Sequence, residues 1–517
     1  MAEYKFTAAI NPAVFPFISA FQNRPIIIPG ADNRLRLANS GARDTETDNN
    51  PTPYPAIAYC ENVIPTQEGV KSVGYTLLQD EVPGETKFND VYQLRDALNN
   101  FWYFSPAEGL NYVISNIGSS WTSTDPLIST TQDPVSLAYV NGRQFVLYST
   151  NILLEWDGTN FIDQSGALTG VAVTDIIAIC ASGNYMCLIC TDLSFKWSSL
   201  VDPLDFVPDD TTGAGSQIPS DARGGGVYLT QLSGGVLIHF DQNTVAALTT
   251  NNSAQPWVFR EVRNAGGLIN YRGVSTDNIS GNCVMWGTNG FQIVGLRDAD
   301  NVFPALTDFL AGNVFETFDS TTNLLTITRD SGPISSRVKL NFFLNRYYTI
   351  SYMQSGVDDP DGEYTYALIY DTQLRRWGKL KIGHKDIFLL AESPRESLML
   401  IKENGAGYLI DINYTVNTGE GVVIMGRYQL SRTSQVCSQE VELEVLGFED
   451  NPTVHVATNY NGRTVGEIFE MIPYETDETY RSFQKQIEGL NLSFIIKGTF
   501  HLSTMVVTCT KGAAADS

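Results

Sequence analysis

Positive charge is what this sequence has least of. Its 517 residues carry 33 Lys and Arg against 57 Asp and Glu, a net charge of −24 with histidine neutral. A protein that grips a phosphate backbone by releasing counterions needs a basic surface, so that class is excluded. A surface past which nucleic acid slides is not excluded, because like charge prevents sticking. Histidine is scarcer still. His239, His384, His455 and His501 are isolated, and none sits in His-Glu-x-x-His or beside another ligand at metal spacing. Each reads as a structural or surface residue rather than a ligand.

Other signals are missing as well. The seven cysteines, Cys60, Cys180, Cys187, Cys190, Cys283, Cys437 and Cys509, are odd in number and scattered, mostly through apolar runs. That suits reduced, buried thiols in a protein made in a cytoplasm. The opening "MAEYKFTAAINPAVFPFISAF" lacks a basic segment followed by an apolar one, so no signal peptide is expected. No apolar stretch reaches membrane-spanning length, and the sequons at Asn278 and Asn413 carry no weight without a secretory signal. No Gly-x-Ser-x-Gly elbow anchors a hydrolase triad. The glycines at Gly213 and Gly224 have no following Lys-Ser/Thr and read as loop, not as a phosphate cradle. No catalytic, cofactor-binding or metal-ligating residue is assigned from the sequence.

What is abundant is turn formers and strand formers. Gly (43), Tyr (24) and Phe (26) are frequent, hydrophobic residues make up 43% of the chain and charged ones only 17%. This argues against disorder and for many short strands. Length alone allows two to four domains, though repeat folds escape that count.

A two-strand unit recurs. "NNFWYFS" (Asn99 to Ser105), "GRQFVLYST" (Gly142 to Thr150), "GNYMCLICTD" (Gly183 to Asp192), "GGVLIHFDQ" (Gly234 to Gln242) and "GNCVMWGTN" (Gly281 to Asn289) each lead at once into a second apolar strand. The period of roughly 40–50 residues is that of propeller blades. Later units are read at Glu363 to Leu380 and at Glu396 to Ile412, and an earlier one at Ala58 to Leu78. Hairpins with an unburied face cover one another when packed radially. The expected fold is all-β: a propeller of six or seven blades over 56–420. A helical element near 303–318 interrupts it, where Leu306, Phe309, Leu310 and Val314 fall at helical spacing.

From Gly421 the strands alternate and are split by turns such as Tyr460-Asn461-Gly462, which reads as a C-terminal β-sandwich over 421–511 with a tail at 512–517. Residues 1–55 are rich in Pro, Asn and Asp without periodicity, and are expected to be an extended arm that orders against a partner.

Four local clusters raise chemical questions. Cys187 and Cys190 are three apart on a predicted strand, so their side chains should face opposite ways and share neither a metal nor a disulfide. Asp359, Asp361 and Glu363 loosely resemble a calcium loop but lack the later bidentate Glu, and a solvated turn is the plainer reading. Asp202 and Asp205 could pair as glycosidase carboxylates, yet acids this close on a loop are commonly turn formers. Arg375, Arg376, Lys379, Lys381 and Lys385 around Trp377 form the main basic run, read as exposed charge on an outer blade strand.

The order of motifs from Tyr59 to Lys511 resembles the tail hub or nozzle proteins of short-tailed double-stranded DNA phages. The elements are "YCENVIPTQEGVKSVG", "FKWSSLVDPLDF", "LIHFDQNTVAAL", "WVFREVRNAGGLINYRGVSTDNISGNCVMWGTNGFQIV" and, near the C-terminus, "GRYQL", "ATNYNGRTV" and "FIIKGTFHLSTMVVTC". The resemblance implies a structural virion protein made in the host cytoplasm and placed in the tail. It implies a homohexameric tube below the portal and its adaptor, holding and then conducting the genome without sequence-specific binding. Tail fibre, needle or plug proteins would be further partners. It also implies that "VDPLDF" is an ordered connection between blades, and that no catalysis or cofactor is required. Two other classes stay open: a propeller glycosidase or capsule depolymerase, and a monomeric protein-binding propeller scaffold.

Overall fold

The computed structural model describes residues 3–9, 26–27 and 57–514 apart from short internal stretches, the longest at 125–133, 329–336, 354–361, 390–396, 412–418 and 460–466. The recurring apolar runs are the second strands of four-stranded antiparallel sheets. In Gly235–Phe240 every residue is buried, and Tyr185–Cys190 is buried after its first residue. A strand covered by a neighbouring sheet on each face has no solvent-facing side, which is why these runs are mostly apolar. Alternation survives as direction. Val236, Ile238 and Phe240 pack against Cys187, Ile189 and Trp197 of the preceding sheet, whereas Leu237 packs against Cys283 and Met285 of the following one.

Seven such four-stranded units follow one another. Five are separate sheets spanning 92–124, 134–163, 176–217, 226–261 and 274–301, here blades 1 to 5. Blade 6, spanning 339–384, is the first part of a larger sheet. Blade 7 takes three strands from 386–411 and its fourth, Thr76–Gln79, from the N-terminal side of blade 1. The fold is a β-propeller, closed by a strand borrowed across the ring.

The closing strand is tied to blade 1 as well as to blade 7. The buried Gln79 side chain donates from Nε2 to Ser119 O at 2.7 Å, and its Oε1 accepts from Gly118 N at 2.8 Å. Phe388, Met399 and Ile401 of blade 7 then share a core with Val91, Tyr103 and Ile114 of blade 1.

Three expectations are corrected. Residues 58–78 are not an early blade: Ile57–Glu61, Val63–Pro65 and Val70–Ser72 join the C-terminal sheets, and only Thr76–Gln79 belongs to the propeller. The helix covers Pro304–Ala311, with Leu306 and Leu310 buried, but Phe315–Asp319 is a strand paired with Leu324–Thr328. Aromatic and β-branched residues in "FETFD" and "LLTIT" favour a strand pair there over helical spacing. Gly290, at a φ of +90°, lies against this helix at Thr307, whose hydroxyl accepts from Phe291 N. The third correction concerns 421–511, whose strands are not a self-contained unit. They divide between two sheets that also recruit N-terminal strands, Glu3–Ala9 against His501–Ala514 and Ile26–Ile27 against Gly421–Gln429. The arm therefore finds partners within its own chain at these two strands, and the rest of 1–55 lies outside the described residues.

One of these sheets is continuous with blade 6. The outer strand Arg376–His384 pairs with Val63–Pro65, and the sheet runs on through Val70–Ser72 and His501–Ala514. A single apolar cluster joins Trp286 and Phe291 of blade 5, Tyr348 and Trp377 of blade 6, and Val423, Phe494 and Val507 of the C-terminal sheets.

Closure through Gln79 gives a test. Gln79→Ala removes both bonds and the buried side chain that makes them, and should cost about 1–2 kcal/mol. Leu77→Ala, half-exposed on the same strand, should stay within about 0.5 kcal/mol of wild type. Urea unfolding midpoints check both; equal effects would contradict the closure role.

Candidate functional site

All inner strands of a propeller run the same way, so their first residues meet at one mouth of the axis. Four charged residues at such starts come together. Asp90 lies two residues before the inner strand of blade 1, Tyr92–Arg95. Arg272 lies in the 3₁₀ turn that enters blade 5. Lys339 opens the inner strand of blade 6 and Asp386 that of blade 7. The Lys339 ammonium contacts Asp90 Oδ1 and sits 3.0 Å from Asp386 Oδ2. Arg272 Nε lies 3.3 Å from Asp90 Oδ2, and Asn341 Nδ2 donates to Asp386 Oδ1 at 3.1 Å. Blades 5 and 6 are not neighbours of blade 1, so Asp90 reaches toward the axis to meet them.

Burial and charge compete here, and their balance differs at each group. Burial alone would raise the Asp90 carboxyl, but Lys339 and Arg272 outweigh it and hold it below the usual carboxylate range. For Asp386 burial wins: its pKa is pushed up to about 6, with the Asp90 charge adding to the effect and Lys339 only partly offsetting it. The two carboxylates share one ammonium, so they titrate as a coupled set. Lys339 loses solvation yet gains two carboxylates, and its pKa rises well above that of an ordinary lysine. A lysine held protonated has no lone pair to offer as nucleophile or base. What the cluster can do is hold four inner strands together and exchange a proton at Asp386 near neutral pH.

A second tier backs it. Lys385, buried, lies 3.5 Å from Glu403, whose backbone N donates to Glu363 Oε1 at 2.7 Å. His384 donates from Nδ1 to Ile382 O at 2.7 Å, which leaves Nε2 to accept from Ser351 Oγ at 2.8 Å. Burial depresses its pKa to about 4, with Lys339 repelling the charged form as well.

The residues singled out from sequence fall elsewhere. Cys187 and Cys190 do face opposite ways, Cys187 into the core between blades 3 and 4 and Cys190 into that between blades 2 and 3. Burial raises both thiols, Cys190 to about 11, so both are poor thiolates. Cys187 instead stands opposite Cys180 on the adjacent strand. Asp202 and Asp205 each cap their own turn, accepting from Leu204 N at 3.0 Å and Val207 N at 3.1 Å. The "VDPLDF" segment connects the third and fourth strands within blade 3, not two blades. Asp359 and Asp361 lie outside the described residues; Glu363 is bonded to Glu403 N. Among the described residues no group of three metal-ligating side chains forms.

The basic run is the largest revision. Arg375 is exposed as expected, but the rest of the run lies on an outer blade strand that the C-terminal sheets continue and partly cover. Lys379 is buried, with its ammonium 4.4 Å from the Tyr59 ring centre and 4.5 Å from that of Tyr366. Lys381 pairs with Glu61 at 3.1 Å, and Arg376 donates to Thr66 O and Gln67 O. His239 is likewise internal, bonded to Thr230 and Thr244, with its pKa lowered to about 3 by burial.

Known proteins add little to this geometry. No family model and no curated protein sequence matches the chain. Solved structures do. The computationally designed Ika8 protein aligns over 65% of this chain and 99% of its own at 8% identity, with a TM-score of 0.39. The WD40 propeller domain of Doa1 aligns over 66% and 97% at 9% identity, TM-score 0.37. A chain of a Mitotic Checkpoint Complex aligns over 65% and 94% at 10% identity, TM-score 0.35. The propeller assignment stands on the strand order itself.

Two outcomes follow. Lys339→Met leaves Asp386 without its cation and Asp90 with Arg272 alone, and should destabilise by about 3–5 kcal/mol. Adding Asp386→Asn should recover more than about 1 kcal/mol of that, because one stranded charge is gone. Strictly additive losses in denaturant titrations would contradict a shared ammonium.

The second outcome concerns pH. His239 and His384 have folded pKa values of about 3 and about 4, below the ordinary 6.5. The unfolded chain therefore binds more protons between those limits. Stability is full above about pH 6.5 and falls on acidification, by up to about 1.4 kcal/mol per pH unit for each histidine. Asp386 acts oppositely: its raised pKa favours the fold below about pH 4, and that contribution is lost as pH rises through about 6. Two histidines outweigh one carboxyl, so the thermal midpoint should drop from pH 7 to pH 5. The drop should shrink in His239→Gln; an unchanged slope would show that His239 is not held neutral.

Proposed function

We propose that this chain is a structural subunit of a short-tailed phage tail, a nozzle or hub protein that assembles into a tube and conducts double-stranded DNA past an acidic wall. The observation that carries the reading is the fate of the positive charge. A chain of net charge −24 buries Lys339, Lys379 and Lys385 among its own carboxylates and aromatic rings. Of the main basic run, Lys379 and Lys385 are thereby turned inward, while Arg375 stays exposed. A wall of that kind repels phosphates without binding them, over a screening length of about 8 Å at physiological salt. The ordered motifs from Tyr59 to Lys511 support the same reading. The proposed partners are further copies of the chain, the portal adaptor, and fibre, needle or plug proteins; the proposed location is the virion tail.

Duplex DNA binding to the purified protein at low salt tests the wall. The expected dissociation constant is weaker than about 100 µM, since no counterion release drives association. Submicromolar binding would overturn the conduit reading. Robust cleavage of capsule polysaccharide would replace it with the depolymerase reading.

A further inference from the structure

We propose that the loop between the third and fourth strands of blade 3 is a docking knob for a protein segment that carries both apolar and basic side chains. The loop is the "SSLVDPLDFVPDDTTGA" stretch between Phe195–Trp197 and Gly215–Gln217. Three of its apolar side chains face solvent: Leu200 at 43% exposure, Val201 at 85% and Val207 at 48%. Exposed apolar residues scattered singly need no explanation, but three within eight positions of one loop are a local concentration.

Mobility does not account for the exposure, because the loop is anchored. Leu204 and Phe206 are buried in the core between blades 2 and 3. Trp197 Nε1 donates to Gly213 O at 2.8 Å, Leu200 N to Thr212 O at 3.0 Å, and Asn141 Nδ2 of blade 2 to Leu200 O at 3.3 Å. The loop thus has apolar side chains that it buries and others, one to four residues away, that it presents. A patch held in place loses little entropy on binding, which favours recognition.

Charge complementarity selects the occupant. Asp202, Asp205, Asp209 and Asp210 lie in the same loop, and Asp202, Asp209 and Asp210 are exposed. Arg143, the cation that meets the loop, is already shared between Glu155 at 2.7 Å and Asp202 at 3.4 Å. An acidic partner would be repelled and a neutral one would leave the rim unmatched, whereas lysine or arginine beside apolar side chains satisfies both. The surface is also placed for access. Hairpin turns between first and second strands share one end of the propeller with loops between third and fourth strands. At that end the blade 1 hairpin exposes Leu98, at 83%.

The probe is a synthetic amphipathic Leu/Lys peptide, compared with an oligolysine of equal charge by fluorescence anisotropy at physiological salt. The Leu/Lys peptide should bind the wild type more tightly than oligolysine does. Replacing Leu200, Val201 and Val207 together by Ser should weaken it about tenfold or more, and Asp210→Lys should weaken it several-fold in an otherwise intact chain. Ile472→Ser with Tyr474→Ser, a control on exposed apolar residues of the C-terminal sheets, should leave binding unchanged. Equal binding of the two peptides, or an unaffected triple variant, overturns the proposal. So does a change in assembly mass caused by the triple variant, which would assign the patch to a second copy of the chain. None of these outcomes bears on DNA affinity, so the proposal and the conduit reading fail separately.

Discussion

One ammonium group between two buried carboxylates constrains the centre of this molecule. Lys339 belongs to blade 6, Asp386 to blade 7 and Asp90 to blade 1, so the contact can form only when the ring is closed. Isolated burial of any of the three charges would cost several kcal/mol. Together with Arg272 they balance, two carboxylates against two cations, and the strand starts are fixed to one another. The covalent chain closes the same ring at its rim through Thr76–Gln79. Closure is thus enforced at both radii, by ions near the axis and by a borrowed strand outside.

Closure by that strand has a consequence for the rest of the chain. Residues 57–72 pass through the C-terminal sheets before the chain enters the propeller at the closing strand. Blade 6 is therefore extended by strands from both ends of the sequence, and the basic run on its outer strand is partly covered. Lysines and carboxylates are buried together, so the acidic character of the surface follows from composition, and the 198–214 loop keeps Asp202, Asp209 and Asp210 outside.

The propeller was legible because its second strands are buried on both faces, which leaves uninterrupted runs such as "GVLIHF" and "YMCLIC". Opposite orientation of Cys187 and Cys190 followed from strand periodicity alone. The borrowed strand was not legible: "TLLQ" pairs with residues more than 300 positions away, and nothing local marks that partner. The axial cluster was hidden for a related reason. Asp90, Arg272, Lys339 and Asp386 each look like an ordinary charge at the start of a strand, and only the ring brings them together. The basic run was misplaced because an outer strand is exposed in an isolated propeller, whereas here another sheet continues from it at Lys379 and Val63.

The fold makes a rigid, acidic unit, and the proposed role requires such units to assemble around a passage. The most direct measurement is the mass of the purified protein in solution, by analytical ultracentrifugation over a concentration series, with particle images of the same sample. The account predicts a closed assembly of six times the chain mass, with a ring-shaped projection and an open centre between subunits. A monomer that stays monomeric at every concentration, imaged as single propellers, would contradict it and favour a protein-binding scaffold.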